Sequence, residues 1–321
     1  MMKSPILFII FKREDTTARV FKRIREARPP RLYIAADGPR NNRIGEKEAC
    51  EITRRVVENI DWPCEVHKLF REENLGCGKG VSSAITWFFQ HESEGVILED
   101  DILPHIDFFS YCDEMLEKYR DDNTIQMICG HSVFNEKFQN KSYYKSSFMQ
   151  IWGWASWRRV WNTYEFDAAK IDKNNLLQKI QQRVPENAFL HFKDTYDMMS
   201  KHKDDTWDYQ LFYNQMMFNR YSIISYTNQT YNIGFDSDDS THTTGKNEQE
   251  DKNLAYSSYP IEHPICLCEN KEADYINMIN TGQYLSNHLD LLIRKIKRNI
   301  RPFLLKIGIY NKLKAFKYNY L

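Results

Sequence analysis

The sequence predicts an α/β protein with a mostly parallel, doubly wound sheet. Two observations carry this. Through roughly the first 130 positions, short apolar runs alternate with helical patterns of about ten to fifteen residues, as in successive strand–helix–strand units. The run Val96-Ile97-Leu98 has no polar break, as a strand covered on both faces requires, and it stops abruptly at Glu99-Asp100-Asp101. In chain order, strands are expected over 6–11, 32–36, 64–70, 96–98 and 125–129. Helices are expected over 16–27 (with Asp15 as cap), 45–59, 79–91 and 106–119.

Beyond about residue 140 the pattern changes. A Trp-rich segment over 151–161 leads into a helical region over 173–219, a strand over 222–226 and a polar, acidic loop over 234–253. The last segment, 289–321, holds nine Lys/Arg against the single acid Asp290. Leu289, Leu292, Ile293, Ile296 and Ile300 recur at helical spacing up to Pro302. This is a basic amphipathic helix, suited either to an anionic membrane surface or to docking on the domain with its basic face in water.

The 321 residues allow one large α/β domain or two small ones. Lys+Arg and Asp+Glu are both 44, so no net charge points to nucleic acid as a partner. The six-residue apolar run at 6–11 is too short for a signal-peptide core, and no segment approaches a membrane span. Seven cysteines, at 50, 64, 77, 112, 129, 266 and 268, show no disulfide framework, which fits a reducing, cytoplasmic setting. His263, Cys266 and Cys268 suggest a metal nook but form no four-ligand set, and ordinary thiols are the simpler reading.

Three consecutive acids at the end of a buried strand are costly unless something cationic compensates them. Strand alternation would put Glu99 and Asp101 on one side and Asp100 on the other. Open α/β sheets take ligands at the carboxyl ends of their strands, so a hard divalent cation carrying a phosphorylated substrate is the natural partner. A solvated acidic turn is the plain alternative.

Asp37-Gly38-Pro39-Arg40 follows the second strand and reads either as a turn or as a carboxylate aimed at a nucleotide. The stretch Arg71 to Gly80, with glycines at 76, 78 and 80, opens a helix whose N-terminus attracts phosphate, although it matches neither a Walker A nor a dinucleotide fingerprint. Asp208, in Thr206-Trp207-Asp208-Tyr209-Gln210, stands near a helix start. It is either a dipole partner or the base that takes a proton from an attacking hydroxyl.

Taken together these stretches resemble the GT-A nucleotide-diphospho-sugar glycosyltransferases, and more narrowly the bacterial relatives of the N-acetylglucosaminyltransferase I type. The residues carrying the resemblance are Phe11-Lys12-Arg13, Asp37-Gly38-Pro39, Asn74-Leu75-Gly76, Leu98-Glu99-Asp100-Asp101, the segment from Trp152 to Arg158, Trp207-Asp208-Tyr209-Gln210, Asn232 to Phe235, and Thr241-His242-Thr243. It spans roughly residues 4–245.

The resemblance implies a glycosyltransferase domain over 1–250, with a nucleotide-sugar half (1–130) and a helical acceptor-side half (131–250). A connecting segment (251–288) and the basic tail (289–321) follow. It implies Asp101 as ligand to Mn²⁺ (or Mg²⁺) on the donor diphosphate, and Asp100 and Glu99 toward the donor's ribose and sugar. Arg13, Asp37, Asn74 and Gly76 would lie around the nucleotide, and Asp208 would be the base of an inverting transfer to a glycan or lipid-linked acceptor.

Asp204 and Asp205 compete with Asp208 for the base role, and His242 is a candidate second metal ligand. Trp154, Trp157 and Trp161 fall at i, i+3, i+7 and read first as a core-facing stripe, leaving Trp152 freer to stack on a sugar. Arg158 and Arg159 would meet phosphate or pair with acids. The alternatives are a metal-dependent nucleotidyltransferase or phosphotransferase, and an inactive GT-A module binding the membrane surface through the tail.

Overall fold

A computed structural model describes residues 2–134, 142–202, 205–234 and 260–280. Its centre is an eight-stranded sheet that begins with β1 (Ile6–Ile10), β2 (Arg31–Ala36), β3 (Glu65–Phe70) and β4 (Glu94–Glu99), all parallel. The remaining members are β6 (Ile125–Cys129), β7 (Tyr143–Ser146), β8 (Trp154–Trp157) and β9 (Tyr221–Ser225). The strand order is β3-β2-β1-β4-β8-β6-β9-β7. β8 runs antiparallel to β4 and β6, and β7 runs antiparallel to β9. Short β5 (Ile102–Pro104) and β10 (Thr230–Asn232) pair antiparallel in a separate ribbon. The sheet is therefore mostly parallel, as the sequence predicts.

Alternation along β1 explains why both faces are covered. Ile6, Phe8 and Ile10 join one core, packed with α1 (Glu14–Ala27) and α4 (Ile106–Lys118), while Leu7 joins the opposite core under α3 (Gly76–His91). Helix α1 buries Thr17, Val20, Phe21, Ile24 and Ala27, one face of a 3.6-residue period. It begins at Glu14, so Asp15 lies in its first turn rather than capping it. It ends at Arg28, whose left-handed φ of 51° lets its N–H donate to Ile24 O.

The helical region resolves into α6 (Lys173–Arg183), α7 (Glu186–Met199) and α8 (Asp208–Met217), which close a third core around Phe148, Phe192 and Phe212.

The tryptophan stripe is a correction. Trp154, Trp157 and Trp161 are core residues, as expected, but Trp154 and Trp157 lie on a strand. Only Trp161 belongs to a helix, α5 (Arg158–Trp161). Because β8 is inserted between β4 and β6 it is buried on both faces, and Trp154 and Trp157 point into opposite cores. Arg158 donates to Glu92 O, and Arg159 to Tyr119 O, Arg120 O and Ile125 O, with the charges of Asp122 and Asp121 also acting on Arg159.

The order of β1 to β4 contains a reversal. From β1 the chain moves outward to β2 and β3, then returns to place β4 on the other side of β1. Such a switch point leaves a crevice at the carboxyl ends of the two central strands.

Near that crevice Glu46 ties two loops together. It is the first residue of α2 (Glu46–Val56) and is nearly inaccessible to solvent. Lys12 Nζ donates to it at 3.0 Å, and Arg40 donates through its backbone N–H and Nε, each at 2.8 Å, and through Nη2. The Arg40 hydrogen bonds, offset only partly by burial, pull the Glu46 carboxyl down to about 2.

A depressed folded-state pKa stabilises above the unfolded value and loses that contribution as pH falls through the folded one. Glu46→Gln is therefore expected to cost roughly 2–3 kcal/mol at neutral pH. The difference from wild type should shrink between about pH 5 and pH 2, read by urea denaturation at the two ends of that range.

Candidate functional site at the carboxyl edge of the sheet

The switch point carries residues that leave β1 and β4. Arg13 follows β1 and precedes α1, and its guanidinium lies between two carboxylates. Nη1 is 2.7 Å from Asp101 Oδ2 and Nη2 is 3.2 Å from Asp100 Oδ1. Asp100 is almost fully buried and accepts the Phe11 backbone N–H at 3.0 Å, tying the end of β4 to the end of β1. Asp101 is more open, and its carbonyl accepts the Ile233 N–H at 2.8 Å, just past β10.

The strand ends at Glu99, so alternation does not extend through the triad; the turn at 100–101 brings both aspartates onto Arg13. Burial opposes the charge on Arg13, but Asp100, Asp101 and Glu99 outweigh it and raise its pKa, so it stays cationic. Burial raises Glu99 well above an ordinary carboxylic acid, with Asp101, Asp100 and Asp208 adding to the effect and Arg13 opposing it.

Asp37, Asn74 and Gly76 are brought together, in contact with one another. The Asp37 carboxylate accepts from Leu75 N (3.0 Å), Gly76 N (3.2 Å) and Asn74 Nδ2 (3.0 Å), and Asn74 Nδ2 also donates to Gly38 O (2.9 Å). These bonds lock the loop after β2 to the loop after β3. Burial raises the Asp37 pKa, against the opposing pull of these N–H groups and Arg71.

Gly76 has φ +81°, a conformation that favours glycine, and it opens α3. The N–H groups at that helix start donate to Asp205, Cys77 N at 2.9 Å and Gly78 N at 2.8 Å. Asp205 thus occupies the anion position of this helix and carries a capping role.

Asp208 is the first residue of α8 and accepts the Thr206 hydroxyl. The preceding Trp207 is buried, stacks on Trp154 at 5.8 Å and gives its carbonyl to the Tyr164 hydroxyl at 2.9 Å. Through these contacts the start of α8 sits beside β8, the neighbour of β4, and the Asp208 charge reaches both Glu99 and Tyr164.

Tyr164 is a site residue the sequence gives little sign of. Its one signal is a position three past Trp161, on which its ring stacks at 4.3 Å. Trp152 lies at the same edge against His131, ring centroids 4.6 Å apart. Asp204, His242, Phe235, Thr241, Thr243 and the tail 289–321 lie outside the described residues.

The donor set limits how a metal would be held. Among the described residues no group of three or more His, Cys, Asp or Glu side chains is placed to hold a metal ion. Asp101 contributes a hard oxygen in a cluster already organised around positive charge. That suits a cation bound by one or two carboxylates and completed by the oxygens of a diphosphate, which is Mg²⁺ or Mn²⁺ chemistry.

A cavity of about 760 Å³ lies at the opposite, amino ends of the strands, beside Pro5, Arg31 and Glu94. Several of its charged groups are already paired, Arg31 with Glu92 (2.5 Å) and Arg120 with Glu94 (2.7 Å), and His263 Nε2 lies 2.9 Å from Glu114. Among the described residues no helix is long and apolar enough to cross a membrane.

No protein-family model matches the chain, and no curated protein matches it. Among solved structures, UDP-glucose pyrophosphorylase complexed with UDP-glucose is 9% identical with a TM-score of 0.38, over 73% of this chain and 94% of its own. HddC from Yersinia pseudotuberculosis is 10% identical with a TM-score of 0.32, over 50% of this chain and 80% of its own. Likenesses this loose do not equate individual side chains, and the chemistry of the site rests on this chain's own residues.

Proposed function

We propose that the chain is a metal-dependent, inverting glycosyltransferase. It would move a sugar from a nucleotide-diphospho-sugar, UDP-linked, to a hydroxyl of a glycan or lipid-linked acceptor. One observation carries the reading: the Arg13-clamped Asp101 and the Thr206-held Asp208 stand at one sheet edge, and both charges act on Glu99. A leaving diphosphate needs an electrophile on one side, and an attacking hydroxyl needs a proton acceptor on the other.

Asp101 would hold a Mn²⁺ or Mg²⁺ ion, which when bound supplies neutralisation of the diphosphate's charge. Arg13 keeps Asp101 aimed through the 2.7 Å contact of Nη1 with Oδ2. Asp208, fixed by the Thr206 hydroxyl and the helix start, would take the proton from the acceptor. Glu99 and Asp100 would face the donor's sugar and ribose, and the Asp37–Asn74–Gly76 bracket would border its base. The basic tail remains a candidate contact with anionic lipid.

The second reading, nucleotidyl transfer, fits the same sheet and acidic cluster. Such enzymes usually carry a glycine-rich phosphate loop after the first strand. Here that turn is Phe11-Lys12-Arg13-Glu14-Asp15, and Arg13 is drawn down onto the carboxylates. This favours glycosyl transfer.

The test measures UDP release from UDP-N-acetylglucosamine with and without Mn²⁺, beside pyrophosphate formation from UTP and a sugar 1-phosphate. Mn²⁺-dependent UDP release that drops about 10- to 100-fold in Asp101→Asn is the expected result. Unchanged turnover and metal dependence in that variant, or pyrophosphate formation alone, would overturn the reading.

A further inference from the structure

One feature of the sequence, the His263/Cys266/Cys268 group, takes no part in the sheet-edge site, and the structure divides it. Both ring nitrogens of His263 are engaged elsewhere, Nδ1 with the Tyr143 hydroxyl at 2.8 Å and Nε2 with Glu114 at 2.9 Å. What remains is a pair of exposed thiols whose sulfurs are 3.1 Å apart, Cys268 Sγ donating to Cys266 Sγ. The other cysteines are different in kind: Cys50, Cys112 and Cys129 are buried, and Cys64 and Cys77 are half-buried. Burial also lifts Cys50, Cys64, Cys112 and Cys129 above the ordinary thiol range, which keeps them unreactive.

The backbone around the pair is held in place. Residues 262–270 run along the edge strand β7, with Ser142 N donating to Glu262 O (3.2 Å), Lys145 N to Cys268 O (3.4 Å) and Asn270 N to Lys145 O (3.1 Å). Asn270 Nδ2 donates to the Tyr226 hydroxyl at 2.6 Å. Directly after it, α9 (Lys271–Asn280) is anchored by Asp274, which accepts from Ser146 Oγ at 2.5 Å and Ser147 N at 3.0 Å. The strap is therefore fastened at both ends, and the two thiols face each other from a bend between the fastenings.

We propose that Cys266 and Cys268 are a thiol–disulfide exchange site that closes reversibly into an intrachain disulfide against oxidised low-molecular-weight thiols such as glutathione disulfide. One thiolate of the pair attacks a sulfur of glutathione disulfide and releases one glutathione thiolate, leaving a mixed disulfide on the protein. The second thiolate then attacks the protein sulfur of that mixed disulfide and releases the second glutathione. The two thiol protons end on the two glutathiones; the pair is oxidised by two electrons and glutathione disulfide is reduced. The second step is intramolecular between sulfurs already in contact, so it outruns accumulation of the mixed disulfide. A ring closed over one intervening residue removes little chain entropy and is easily reopened by excess thiol.

The test exposes the full chain to glutathione/glutathione disulfide mixtures, blocks remaining thiols with N-ethylmaleimide and maps the peptides by mass. The expected result is a 266–268 peptide lighter by two hydrogens, carrying neither label nor glutathione, and restored by excess glutathione. Cys266→Ser and Cys268→Ser should each instead carry a single stable glutathione on the remaining thiol. Wild-type protein that stays fully labelled at both thiols, or that accumulates glutathione there as wild type, overturns the proposal. Unchanged far-UV circular dichroism of both variants separates a chemical result from misfolding.

Discussion

Asp208→Asn is expected to lower kcat for sugar transfer by about 10²–10⁴-fold while the donor KM stays close to wild type. The side chain opens α8, receives the Thr206 hydroxyl and puts its charge on Glu99 and Tyr164. An amide of the same shape keeps the Thr206 contact and removes the proton acceptor. The fold should scarcely notice, since a lone acid at a helix start contributes about 0.3–1 kcal/mol through the helix dipole.

The companion variant is Asp205→Asn. Asp205 caps α3 through Cys77 N and Gly78 N, so its loss should cost about 1 kcal/mol of stability and leave kcat nearly intact. Steady-state UDP release and melting temperature, measured on both variants, separate the roles. A dead Asp205 variant beside an active Asp208 variant would move the base assignment to Asp205.

The capping role of Asp205 was not legible in the sequence. Asp204, Asp205 and Asp208 stand together in the chain, and the partners that tell 205 from 208 lie about 130 residues upstream, at Cys77 and Gly78. The strand-end polar residues were legible because each follows an apolar run: Arg13 after β1, Asp37 after β2, and Asp100 and Asp101 after β4. Their joint geometry was not, because alternation holds only while a strand lasts. β4 stops at Glu99, and the following turn gives both aspartates to Arg13.

The same physics governs the fold. The regular first half was readable from period and loop spacing. The antiparallel insertion of β8 was not, since a four-residue segment covered on both faces shows no polar alternation, and its tryptophans fit a helical spacing equally well.

Gly234→Ala is the second large expected effect, and it separates the site from the scaffold. A β-carbon on Gly234 would lie 2.5 Å from Arg13 Nη1 and 2.9 Å from Asp101 Cβ, and it would overlap Asp101 Oδ2. These are the atoms of the clamp, and its long arm, the Arg13 side chain, can swing away. Gly234 is not among the residues with left-handed φ, so the methyl group should be accommodated by displacing the ion pair rather than by unfolding β10. Donor affinity in Mn²⁺ should then weaken by about tenfold or more, with the melting temperature shifted by only a few degrees.

Gly45→Ala is the opposite case. Gly45 has φ +79° with open space around its missing β-carbon, so its substitution should cost stability through backbone strain and leave donor binding unchanged. Isothermal titration of UDP-N-acetylglucosamine with Mn²⁺, paired with thermal melts, distinguishes the two glycines. Equal donor affinity in wild type and Gly234→Ala would mean that the Arg13–Asp101 clamp does not set the donor site.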